Sequence, residues 1–162
     1  MVAIHSFRAR VTLPSDEQIL ITRHFDAPVH LVYRAYTTAE LVSRWWIGER
    51  GQMTSCQIDL RPGGRWRYVM MTNQGFEVAF HGVYREIVTD RRIVSTEIYE
   101  GMPEAEALST VTFTAADGGT DLAILVEHTE KAHRDAHVDS GMEAGLQEAL
   151  DRLEALVTDE PR

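Results

Sequence analysis

Residues 26–70 constrain this chain more than any other stretch, because they set two short helices directly ahead of a strand studded with aromatic side chains. Asp26 and Pro28 mark a helix start: a carboxylate there can accept from unpaired first-turn amides, and proline tolerates that turn without losing a bond. Thr37 and Glu40 have the spacing of a capping box and predict a second helix, which Trp45 and Trp46 end. Arg61-Pro62-Gly63-Gly64 then supplies turn and bulge chemistry, and strand alternation puts Trp66, Tyr68 and Met70 on one face. This order predicts a sheet that presents a wide apolar wall to a helix.

The rest of the chain fits the same plan. Residues 11–13 and 17–25 read as extended segments around a Pro14-Ser15-Asp16 turn, the second alternating Ile19 and Ile21 with polar neighbours. Residues 52–60, 65–72, 76–88, 91–100, 108–115 and 120–128 read as successive antiparallel strands. Asn73-Gln74-Gly75, Thr89-Asp90 and Asp117-Gly118-Gly119 supply hairpin turns, and 101–107 forms a longer loop. Over residues 132–157, Met142, Leu146, Ala149, Leu150, Leu153, Leu156 and Val157 recur at helical spacing. The expectation is an α+β fold: a curved sheet of six to seven strands, two short helices after the first strand, and one long C-terminal helix on the concave face. A pocket is expected wherever side chains fail to fill the curve between that helix and the sheet.

Composition narrows the class. With 44% hydrophobic and 25% charged residues, 162 residues suffice for one sizeable core and require no second domain. A formal net charge of -9 without any Lys/Arg run argues against nucleic acid or an anionic membrane as partner. The one cysteine, Cys56, cannot form an internal disulfide, and the first residues, MVAIHSFRARVTLP, lack the apolar core of an export signal. A cytoplasmic setting is expected.

Several stretches together resemble the activator of heat-shock-protein-90 ATPase homologue branch of the START-like (SRPBCC, helix-grip) superfamily. They are the Ala27-Pro28 helix start, Thr37 to Trp46, Pro62-Gly63-Gly64-Arg65-Trp66, Phe80-His81-Gly82-Val83-Tyr84, Gly118-Gly119-Thr120, and Gly141-Met142 opening the last helix with Leu153 beyond. The resemblance spans nearly the whole chain and implies one helix-grip domain over residues 1–162, with its core in about residues 17–157. It departs after the tryptophan pair, where the family's Gly-Pro is replaced by Ile47-Gly48-Glu49-Arg50. The superfamily uses one scaffold for lipid and hormone binding, aromatic cyclisation and chaperone contact, so the fold alone does not fix the site.

Candidate cavity residues follow from strand and helix faces. Trp66, Tyr68 and Met70 line one strand; Ile124, Val126 and His128 line another. Met142, Gly145 and Leu146 lie on the long helix, where Gly141 and Gly145 suggest a close approach or room for a ligand. Trp45 and Trp46 could close one end, although neighbouring helical residues point about 100° apart, so one faces in and one out. The candidate acid–base groups are His81, Glu97, His128, Tyr68 and Tyr84. Of these, His81 and His128 are counted with the cavity, whereas Glu97, sharing a face with Ile93, Ser95 and Tyr99, is read as facing outward. His133 and His137 at i and i+4, near His128 and Glu130, read as solvated; Arg134 stands where a zinc-protease helix needs its glutamate. Arg61, Arg65 and Arg67 read as a solvated cluster in and after the turn, with Arg65 and Arg67 on the face opposite Trp66 and Tyr68.

No catalytic residue, metal ligand or cofactor is assigned. The first functional reading is a module that binds a small apolar or amphipathic molecule in the cavity. The second is a protein-interaction domain with a chaperone or other protein as partner, and the third is a cyclase- or hydrolase-like enzyme. An exposed strand edge or outward tryptophan could also support a homodimer.

Overall fold

The computed structural model describes residues 8–158; the first seven residues, which belong to the stretch read for an export signal, lie outside the described residues. Eight strands form one sheet: β1 (Arg10–Thr12), β2 (Gln18–Phe25), β3 (Gly51–Ile58), β4 (Arg65–Thr72), β5 (Glu77–Val88), β6 (Arg92–Tyr99), β7 (Ala107–Ala116) and β8 (Gly119–His128). Their order is β1-β2-β8-β7-β6-β5-β4-β3, and every neighbouring pair is antiparallel. The extended segment at 11–13 becomes the short strand β1, which takes the count past the six or seven expected. Four helices accompany the sheet: α1 (Val29–Thr37), α2 (Ala39–Trp45), α3 (Lys131–Asp139) and α4 (Met142–Thr158).

Local chemistry explains most boundaries and corrects two expectations. Pro28 is the N-cap of α1, and Thr38, not Thr37, is the N-cap of α2; neither helix has a side-chain capping bond. Thr37 sits in the last turn of α1 and donates its hydroxyl to the Tyr33 carbonyl (2.8 Å), so the expected capping box does not form. The long helix expected over 132–157 is two helices, because Gly141 takes φ +84° and breaks the run between Ser140 and Met142. Apolar spacing continues through the break, which hides it from periodicity.

The helix α4 crosses the inner face of the sheet at the β2 end. Leu150 and Leu153 of α4 are buried with Ile19, Phe25 and Leu122 in one core. Arg23, on the same face of β2, is 5% exposed; it donates to Asp151 (2.8 Å) and lies 3.6 Å from Glu154. Gln147 exchanges two hydrogen bonds with the Ala9 backbone (3.0 and 2.8 Å). Helix α1 lies against β7 and β8 and α2 against β3, so the far half of the sheet is roofed by α1, α2 and the turn after them.

Candidate functional site

Alternation along β4 to β7 turns Trp66, Tyr68, Tyr84, Ser95 and Ser109 to the roofed side of the sheet. There, with Tyr36 of α1, Trp46 after α2, and Ile93, Glu97 and Val111, they line a cavity of about 60 Å³. The register explains the hollow. Tyr84 pairs with Ser95 and Ser95 with Ser109, so two short side chains sit side by side where larger neighbours would fill the space. Next to them Ile93 pairs with Val111 and forms an aliphatic wall. The aromatic wall is continuous: Trp66 meets Tyr68 at 4.7 Å between ring centroids, and Trp46 meets Tyr68 at 5.2 Å and Phe80 at 5.0 Å. Gly82 allows this packing, since a Cβ there would strike the Thr96 carbonyl and lie 2.5 Å from Trp66 Nε1. That indole nitrogen is buried and has no hydrogen-bond partner among the described residues.

Glu97 supplies the only formal charge in the lining among the described residues. Burial pushes its carboxyl up to about 7 from an ordinary 4.5, and it makes no hydrogen bond or ion pair with any described residue. Burial also raises Tyr36, Tyr68 and Tyr84, with the Glu97 charge a smaller contribution at Tyr36 and Tyr68. All three phenols therefore stay protonated near neutrality. The arrangement is a small aromatic chamber with hydroxyls at its wall and one uncompensated carboxyl. Trp66, Tyr68, Tyr84, Ile93, Ser95 and Val111 are buried, while Tyr36, Trp46, Glu97 and Ser109 keep some exposure and mark the mouth.

Residues 26–158 match the family model described as activator of Hsp90 ATPase homolog 1-like protein. The chain belongs to this family. A Rhodobacter sphaeroides protein of solved structure superposes with a TM-score of 0.89 at 25% identity, covering 94% of this chain and 99% of its own. A Chromobacterium violaceum protein gives 0.77 at 28% identity, covering 88% and 99%. An AHSA1-like protein from Aeromonas hydrophila gives 0.68 at 22% identity over 87% and 92%, a likeness of fold alone. No curated protein matches the chain by sequence.

Within this member of the Hsp90 ATPase activator homologue family, the structure brings together only part of the expected site. Trp46, Trp66 and Tyr68 line the cavity. Trp45 is 2% exposed, donates Nε1–H to the Ala35 carbonyl (3.0 Å) and stacks on Tyr36 at 5.0 Å, so it anchors α2 on α1 and does not face the cavity. Met70 is buried beside Met53 and Val78, beyond the lining. Ile124 and Val126 belong to the filled core under α4. Met142 and Leu146 pack on that core, and a side chain added at Gly145 would meet Arg50 at 3.5 Å, so α4 contributes nothing to the lining. The cavity lies beneath α1 and the turn after α2, not beneath the C-terminal helix. The family's Gly-Pro after the tryptophan pair is here a turn in which Gly48 packs against Glu148 and Ala149 of α4.

Three polar expectations also change. His81 pairs in register with Arg67 and Ile98 on the outer face, where its Nδ1 lies 2.9 Å from Glu100. Glu100 also accepts two bonds from Arg67 at 2.9 Å, which chiefly hold its carboxyl down to about 2. Glu97, expected outside, faces in. His128, expected in the cavity, is absent from its lining and packs instead on α3, where its Nε2 lies 3.0 Å from His137 Nδ1; His137 and His133, expected in solvent, are packed too, His133 lying 3.3 Å from Glu130. Burial lowers His128, and burial with His128 as neighbour lowers His137 to about 4. No group of three potential metal ligands occurs among the described residues. Arg61 is exposed in the turn before β4, and Arg65 and Arg67 are exposed on the face opposite Trp66 and Tyr68, as expected.

Ser95, Ser109, Ile93, Val111 and Tyr36 escaped the sequence reading as cavity residues. The signal that could have found them is register: once Trp66 and Tyr68 face in, the β4–β5 pairing turns Tyr84 inward and the β5–β6 pairing turns Ser95 inward. A second, larger depression of about 470 Å³ lies among Glu49, Arg50, Thr72, Asn73, Gln74 and Glu148. Its lining is polar, and its groups already bond one another: Asn73 Nδ2 donates to the Glu49 carbonyl (2.8 Å), and Arg50 Nε to Glu148 (3.4 Å). Among the described residues, no helix is long and apolar enough to cross a membrane.

Proposed function

We propose that this protein is a small-molecule binding module whose ligand enters the aromatic chamber over β4 to β7. The observation that carries the reading is a partly open, aromatic-walled space that contains one unpaired carboxyl, because apolar walls with few polar groups are how proteins bury and orient small ligands. At about 60 Å³ the chamber is well below the roughly 300–1,000 Å³ typical of drug-sized ligands, so it accepts a few heavy atoms and leaves the rest of a longer molecule at the mouth. The cytoplasm is the expected compartment, a reading supported by the lone cysteine Cys56.

Native mass spectrometry, paired with Trp fluorescence titration against a fragment panel, tests this reading. Saturable binding that quenches Trp46 or Trp66 and is lost in Ser109→Leu, with circular dichroism unchanged, supports it. An apo protein that binds no fragment sinks it. A second reading, a protein-contact domain engaging a chaperone, draws on Phe76, which is 68% exposed at the β4–β5 turn near Met71 at 38%. Phe76→Ser together with Met71→Ser would abolish such a contact and leave fragment binding intact.

A further inference from the structure

We propose that the chamber selects a small organic cation, an alkylammonium head group seated between the Glu97 carboxylate and the surrounding rings. The inference rests on the binding-module reading and adds the charge of the ligand.

Three observations carry it. First, five of the lining side chains are aromatic, and the faces of tryptophan and tyrosine attract cations by their ring quadrupoles. Second, among the described residues no Arg, Lys or His lines the chamber, so Glu97 faces Tyr36 from α1, Tyr68 from β4, Tyr84 from β5 and the serines of β6 and β7 with no countercharge. Third, basic side chains of the neighbouring strands lie on the outer face: Arg67 pairs with Glu100 and Arg92 with Glu86, each at 2.9 Å, and the His81 imidazole also meets Glu100 there. A carboxylate largely withdrawn from water at the mouth of an apolar chamber, without a partner, is unfavourable, and a bound cation relieves that cost where a neutral ligand relieves less and an anion adds repulsion. The contrast with Arg23 is direct, since that buried charge carries its own two carboxylates from α4.

Size sets the head group. A cavity of about 150 Å³ holds benzene, so about 60 Å³ holds a smaller group, an ammonium with its first carbons, and the chain leaves past Tyr36, Trp46 and Ser109.

Butylammonium, 1-butanol and butyrate share one tail and differ in charge, which makes them the probes. Titrated against the intact protein at about pH 8, butylammonium is expected to bind about tenfold tighter than butanol, a difference of about 1.4 kcal/mol, and butyrate not at all. In Glu97→Gln the tenfold preference disappears while butanol binding stays. The preference should also grow from about pH 6 to about pH 8, because Glu97 titrates in that interval and the buried Tyr36, Tyr68, Tyr84 and Cys56 are raised away from it. If butanol binds the wild-type protein as tightly as butylammonium, the cation inference fails and the binding-module reading stands. If none of the three probes saturates, both fail. The wild-type comparison needs no variant, so a poorly folding Glu97→Gln leaves the inference open to refutation.

Discussion

The two halves of the inner sheet face solve the packing problem differently. Beneath α4, branched aliphatic side chains fill the space around the single ring of Phe25: Ile19, Leu153 and Phe25 are 0% exposed, and Leu122 and Leu150 are at most 2%. Over β4 to β7, the rings of Trp46, Trp66 and Tyr68 pack at steep angles on one side of the cavity, the short pair Ser95 and Ser109 lies on the neighbouring strands, and a hollow is left between them. The halves differ in charge as well. Arg23 in the filled half is bonded to Asp151 and lies near Glu154, whereas Glu97 in the hollow half has no counterpart among the described residues. Aromatic bulk is therefore not the same as filling: flexible aliphatic chains interdigitate, and flat rings fixed by a sheet leave gaps that function can use.

The largest expected effect tests how tightly the first half is packed. Leu153→Ala removes a fully buried side chain from a region with no slack, and urea unfolding should show a loss of about 2–5 kcal/mol. A loss below about 1 kcal/mol would mean that this half relaxes around the deletion, and the contrast between the halves would fall.

Charge gives the next test, with opposite signs in the two halves. The folded state raises the Glu97 carboxyl from 4.5 to about 7, so it carries no penalty below the unfolded value and the full penalty above about 7. Glu97→Gln should therefore stabilise the protein at about pH 8 by up to about 3 kcal/mol and change nothing at about pH 4. In the filled half, His137 is lowered from 6.5 to about 4, so its penalty is absent above 6.5 and grows as pH falls toward 4. His137→Gln should flatten the acid-side loss, recovering up to about 2 kcal/mol at about pH 5. Urea midpoints across the pH range check both; equal slopes in wild type and variants would remove the electrostatic side of the comparison.

Much of this contrast is legible in the amino-acid sequence, and the part that is not has a physical cause. Hairpin turns announce themselves, as Asp90 (φ 61°) and Asp117 (φ 51°) show by taking the positive φ that their turn chemistry allows. Alternation correctly groups Ile93, Ser95, Glu97 and Tyr99 on one face of β6. It cannot say which face is inside, because Val94, Thr96 and Ile98 make the other face equally apolar. Only pairing decides: Tyr84 opposite Ser95, and His81 opposite the exposed Arg67. Register depends on partners distant in sequence. The same limit misplaces the pocket under α4, since helical spacing reveals an apolar stripe without revealing how fully that stripe is met.

The smallest expected effect sharpens the border itself. Ser109 and Val126 are direct cross-strand partners in β7 and β8, yet Ser109 lines the hollow while Val126 is 3% exposed in the filled core. Adding volume on the two sides should therefore cost different amounts. Val126→Phe forces an oversized ring into packed surroundings and should cost about 1–3 kcal/mol. Ser109→Leu places its added carbons in existing space near the mouth and gains burial that offsets the lost hydroxyl hydration, so it should change stability by less than about 1 kcal/mol. Thermal unfolding of the two variants, side by side, measures the difference. Equal destabilisation would mean that the chamber resists filling as the core does, and the hollow would then be a feature of packing with no room to lend a ligand.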